Sequence, residues 1–222
     1  MSAANTAVAK KQPQKPRSKN ATRGIWAAVI VVALVGLGLG SKFIPNDDPR
    51  IVGVEKFNAE TFGAERFPTI QENVAARATP AVDLAAAIAA DPDAAATEFA
   101  VQSSGGPVYS TTFTGTFGEG KSGIYPVTID GLPGDLTVRV QTGPAINGTE
   151  IRDASGEITF GEFTNQIDYQ NAAAALNDEL KVQVLANIDT AALEGKTVTV
   201  TGAFTLINPA SWLVTPVQME VQ

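Results

Sequence analysis

Seventeen consecutive residues without a charge, Gly24 to Gly40 (GIWAAVIVVALVGLGLG), follow a stretch holding six cations, Lys10, Lys11, Lys15, Arg17, Lys19 and Arg23, and precede Lys42, Phe43 and Ile44. As a helix the run covers about 26 Å, or about 31 Å when extended to Ile44 with Lys42 snorkelling, which matches a bilayer core. The sequence therefore predicts a transmembrane signal anchor over residues 24–44. The cations hold its N-terminal side in the cytoplasm, so the chain from about residue 45 faces the extracytoplasmic side. A cleavable signal peptide is the competing reading. Retention is expected because the run exceeds the h-region length of about 7 to 15 residues and no A-x-A site follows it. Gly36 and Gly40 form a G-x-x-x-G pair that a glycine-rich apolar segment produces by chance.

Charge divides the chain at the same place. Six of the 16 Lys and Arg residues precede residue 24 and all 23 Asp and Glu residues follow it, which leaves residues 24–222 with a net charge of −13. A polyanion would be repelled, so nucleic acid is excluded as a partner. There is no Cys and no His, which removes disulfides, Cys/His zinc sites and every triad with an imidazole base. No metal or cofactor is expected.

Residues 1–23, polar and poor in apolar groups, read as a disordered basic cytoplasmic tail. Residues 45–106 read as a linker (PNDDPRIV, 45–52) followed by a helical segment. There Phe57, Phe62 and Phe67 punctuate a helical run that should break at Pro68, a second helix runs to Pro80, and VDLAAAIAA (82–90) stops at Asp91-Pro92. Asp91 is placed to cap a further helix opened by Pro92.

At Ser103-Ser104-Gly105-Gly106-Pro107 the spacing changes from helical to alternating. Strands are predicted at 108–117, 124–129 and 136–141, joined by glycine-rich turns as a meander, with a short strand at 158–160. A helix at 171–188 follows, on the four-residue repeat of Leu176, Leu180, Val184 and Ile188, and then strands at 196–207 and 214–221. Three strands, a helix and a final hairpin is the order of the five-stranded OB-fold barrel. Residues 107–222 are therefore read as an OB-like antiparallel barrel with the helix at one end, in a mainly β chain. A helix-covered antiparallel sheet is the alternative.

The stretch INGTEIRDASGEITFGEFTNQIDYQNAAAALNDEL (146–180), with LEGKTVTVTGAFTL and LVTPVQMEV, resembles a family of bacterial periplasmic lipoproteins whose domain has no assigned activity. The resemblance covers roughly residues 43–222. Its most specific pieces are Arg152-Asp153, Phe163-Thr164-Asn165-Gln166-Ile167 and Gly202-Ala203-Phe204, polar and small residues that apolar alternation does not dictate. It implies an extracytoplasmic OB-like domain often encoded beside sugar ABC-transporter components. Without a cysteine to carry lipid, the apolar run must serve as the anchor.

Gly115 to Ser122 (GTFGEGKS) fits the phosphate-binding pattern G-x-x-x-x-G-K-[ST]. The following residues read as a strand, whereas that loop works by opening a helix, so a hairpin loop is expected instead. Asp153, Glu157, Glu162 and Asp168 could supply the carboxylate pair of a glycosidase-like hydrolase, the alternative function. Their spacing gives no calcium loop. Arg152, Asp153, Asn165, Gln166 and Asp168 are the candidate ligand or partner contacts, because a cation, anions and amides offer hydrogen bonds of every type to a sugar or peptide. The same residues could equally satisfy backbone groups where a loop crosses the barrel end. Tyr109, Tyr125, Tyr169, Phe113, Phe160 and Phe163 are assigned to packing. The sequence thus suggests a non-enzymatic, membrane-anchored extracytoplasmic binding or accessory module, with a carbohydrate or ABC-transporter components as partner.

Overall fold

The computed structural model describes residues 19–40 and 57–222. Residues 1–18 of the tail predicted over 1–23, the end of the predicted anchor over 41–44 and the linker at 45–52 lie outside them, and residues 19–23 of that tail are helical rather than disordered. Two compact units are present, Met1–Glu55 and Lys56–Gln222.

In the first unit, α1 (Lys19–Gly40) is a 22-residue helix. Among the residues described, no helix is long and apolar enough to cross a membrane. The side chains at 19–25, 27 and 38–40 are not among those described.

The second unit begins with α2 (Ala59–Arg77), capped by Asn58, whose side chain accepts from Thr61 N at 3.0 Å. Pro68 sits inside this helix rather than ending it. A proline costs one internal hydrogen bond, and burial of Gly63, Phe67, Ile70 and Val74 along one face outweighs that loss. Then follow the two-residue β1 (Thr79–Pro80), α3 (Ala81–Ala90) and α4 (Pro92–Phe99). Asp91 caps α4 as expected, accepting from Asp93 N and Ala94 N.

The barrel strands are β3 (Gly106–Phe117), β4 (Ile124–Thr128), β5 (Thr137–Gln141), β6 (Thr197–Thr205) and β7 (Ser211–Val221), in the order β3-β4-β5-β7-β6, and β6 pairs back onto β3 from Thr116↔Thr197 to Val108↔Thr205. The five-stranded closed barrel was legible in the sequence, but it is not wholly antiparallel. β5 and β7 run parallel, with Thr137↔Ser211 through Val140↔Val214 in register. Strict alternation of direction closes only with an even number of strands, so a five-stranded ring needs one such pair. β2 (Ala100–Ser103), an unpredicted strand, forms a hairpin with the start of β3.

Between β5 and β6 lie α5 (Glu150–Ala154), a 3-10 turn at Phe160–Glu162 and α6 (Gln166–Leu180), which widens into a π turn over Lys181–Leu185. The short strand expected at 158–160 is absent. Thr159 and Glu162 there form a capping box, with Thr159 N donating to Glu162 Oε1 at 2.7 Å. The helix expected at 171–188 starts five residues earlier, at Gln166 behind the Asn165 cap, and ends with the π turn at Leu185 instead of reaching Ile188.

Alternation along the strands feeds two cores. The barrel interior holds Phe113, Phe117, Val138, Val140, Val200 and Trp212, and Leu84 and Ile88 of α3 join it. Tyr109, Phe204 and Trp212 stack in series there, at 5.6 Å and 4.5 Å between centroids. On the outer face, Val108, Ala203 and Val217 pack with Phe67, Ile70, Val74, Leu176 and Leu180 of α2 and α6. The helix expected at a barrel end thus belongs to this second core. It crosses α2 so closely that a Cβ on Gly63 would lie 2.9 Å from Ala175 O.

Candidate binding cleft

Where the β2–β3 hairpin meets the segment between α5 and α6, the surface opens into a cleft of about 440 Å³. One wall is Val101 to Ser104, the other Ile158 to Phe160, and Asp153, Gln166 and Tyr169 complete the lining. The walls approach at Gly156, where a Cβ would lie 3.1 Å from Val101 Cγ1. Phe160 remains 53% exposed although its ring meets Tyr169 edge-on at 5.6 Å.

The pair Arg152-Asp153 underlies this cleft. Both are buried, and Arg152 Nε donates to Asp153 Oδ1 at 2.7 Å. Thr149 Oγ1 donates to Asp153 Oδ2 at 2.7 Å, and Arg152 Nη1 donates to the Tyr169 carbonyl at 3.0 Å. Ion pairing and added hydrogen bonds are what let two charges stay out of water. Burial pushes the Tyr169 hydroxyl above its ordinary pKa, with the Arg152 charge pulling it down and Asp153 adding to the rise.

Asn165 and Asp168 hold each other at the start of α6. Asp168 N donates to Asn165 Oδ1 at 2.9 Å, and Asn165 Nδ2 donates to Asp168 Oδ2 at 2.8 Å. Of the five predicted contact residues, Asp153 and Gln166 line the cleft, Arg152 supports it from within, and Asn165 and Asp168 shape the helix beside it. The other predicted acids are also engaged. Glu157 accepts from Asn73 Nδ2 at 2.8 Å, and Glu162 pairs with Arg66 at 3.3 Å besides closing the capping box. Sequence reasoning missed Gln102, Ser103 and Ser104, and it gave Phe160 to packing. The dipeptide Ser104-Gly105 between two β-prone runs was a hairpin signal for the first wall.

Among the described residues, no group of three or more acids stands ready to hold a metal ion. The G-x-x-x-x-G-K-[ST] stretch runs from the end of β3 into a tight turn in which Lys121 N donates to Ile124 O at 2.9 Å and β4 begins. No helix opens there to present amides to phosphate.

A family model described as a predicted periplasmic lipoprotein (DUF2291) matches residues 28–220. The chain belongs to DUF2291. Membership places it with extracytoplasmic, membrane-associated proteins, and DUF2291 as described carries no assigned activity. A solved OB-fold protein from Thermotoga maritima MSB8 is 20% identical, with a TM-score of 0.61 over 76% of this chain and 100% of that one. That likeness fixes the fold of this DUF2291 member as an OB-fold with added helices. No curated protein matches.

Proposed function

We propose that the chain is a non-enzymatic accessory module, tethered by a single N-in span over residues 24–44, which uses the cleft between β2 and α6 to contact a partner in a sugar ABC-transport system. The observation that carries the binding part is the makeup of the cleft. Gln166, Ser104 and the exposed Phe160 ring line one concavity, and a binding site needs that mix of an apolar surface with a few placed polar groups. A carboxylate hydrolase is less well supported, since Asp153, Glu157, Glu162 and Asp168 each hold a structural partner. The tether rests on the uncharged run and its cationic flank, and the link to sugar uptake on the gene neighbourhoods that the resemblance implies.

Crosslinking and affinity capture of the tagged full chain from native membranes tests the proposal. Transporter subunits should be recovered with wild type and lost with Phe160→Ala and Gln166→Ala. Equal recovery with all three would remove the cleft from the contact. Glycosidase turnover abolished by Asp153→Asn in a folded protein would replace the module with an enzyme.

A further inference from the structure

Side chains account for only part of the cleft; the other part is backbone. Among the described residues β2 pairs with no strand but β3, so its opposite edge carries no ladder. Facing Gln102 in the register is Pro107, which has no N–H and whose carbonyl accepts from Leu206 N at 3.0 Å on the β6 side. Gln102 and Pro107 are therefore a non-hydrogen-bonded pair, in which each residue turns its polar backbone groups away from the other. The Gln102 N–H and C=O point outward from an exposed residue, and neither has a partner among the described residues. A free donor and acceptor side by side on a strand edge are a template for another extended chain.

The facing wall suits such a chain. Thr159 is itself extended (φ −109°, ψ 154°), and the exposed Phe160 ring offers apolar surface beside the buried Ile158. The rim is anionic. Glu157 and Glu162 flank this wall, Glu162 sharing its charge with Arg66, and Asp168 adjoins Tyr169. The cation at the site, Arg152, is buried and paired. Residues 57–222 as a whole hold 20 acids and 7 bases, so a cationic segment is drawn in and an anionic one turned away.

We propose that an extended, Lys- or Arg-bearing segment of a partner protein adds to β2 as a strand, pairing with Gln102 and laying an apolar side chain on Phe160. This rests on the cleft being the contact surface. The test is selection of phage-displayed random dodecapeptides on the full chain in detergent. Peptides with alternating β-branched residues and at least one Lys or Arg should be enriched, and a selected peptide should slow hydrogen exchange at the Gln102 amide. Gln102→Pro removes the outward N–H without touching the β2–β3 ladder, but it also removes the Gln102 Nε2 bond to the Ala96 carbonyl at 3.2 Å; measured against Gln102→Ala, which loses that bond and keeps the N–H, it should weaken these peptides at least tenfold.

Peptides weakened by Phe160→Ala but not by Gln102→Pro would overturn strand addition and leave the cleft as the contact surface. Peptides insensitive to both changes would overturn both. Failure to enrich any peptide would overturn the proposal. So would concentration-dependent self-association through the same edge, or protection of the site by maltotriose in place of peptide.

Discussion

The Arg152 guanidinium carbon lies 3.6 Å from the centroid of the Tyr169 ring, while the same side chain donates to the Tyr169 carbonyl. One residue of α5 thus fixes both the ring and the backbone of the first turns of α6. Cation–π contact gains strength when water is excluded, as it is here.

Removing the cation should therefore be costly. Arg152→Ala leaves Asp153 buried without its counter-charge, and the expected loss is about 3–5 kcal/mol by urea titration. Arg152→Met combined with Asp153→Leu should lose much less than the two single changes added together. Additivity in that cycle would show that the pair is not coupled.

Tyr109 is fully buried, and its hydroxyl has no partner among the described residues. Burying an unpaired hydroxyl costs about 1–3 kcal/mol. Tyr109→Phe keeps the ring stacked on Phe204, so stability should hold or rise. A drop above about 1 kcal/mol would mean that the hydroxyl is hydrogen-bonded in solution.

Glu150 has its carboxyl pushed above the ordinary value of 4.5, chiefly by burial; a backbone hydrogen bond opposes this and Asp153 adds to it. Between the unfolded and folded pKa values the folded state binds more protons, so stability falls as pH rises through that interval and the deficit persists at neutral pH. Glu150→Gln should match wild type below pH 4.5 and exceed it at pH 7. Melting curves across pH decide the sign, and a neutral-pH loss in the variant would contradict it.

Leu84 reaches from α3 into the barrel interior and is fully buried. Leu84→Ala should cost about 2–5 kcal/mol. A smaller loss would mean that α3 only leans on the barrel. At the other core, Gly63→Val drives a branched side chain against the Ala175 backbone and should cost about 1–3 kcal/mol through displacement of α2 from α6.

The five barrel strands were legible because Thr- and Val-rich alternation between glycine turns has few other solutions, and the α4 cap because Asp91-Pro92 is a local signal. Pro68 misled because its cost is local, whereas the burial that overrides it comes from α6, about a hundred residues away. The parallel pairing of β5 and β7 leaves no mark on either strand's pattern and is recoverable only from the count of strands. The cleft was half legible. Asp153 and Gln166 stood out as polar residues where apolar alternation would not place them, but the β2 wall is remote in sequence and no spacing rule links the two. Asn165 and Asp168, read as contacts, carried the helix-start signature of an Asn followed three residues later by an acid.

β7 is the last barrel strand in the chain, and it slots between β5 and β6 rather than adding to an edge. During synthesis, β3, β4, β5 and β6 emerge first as an open sheet whose gap only β7 fills. Much of the apolar surface facing Trp212 and Val214 stays wet until that strand arrives. Ring closure rests on residues 211–221, which supply both the β5 and the β6 ladder; without them two strand edges would lie open as templates for pairing with other chains.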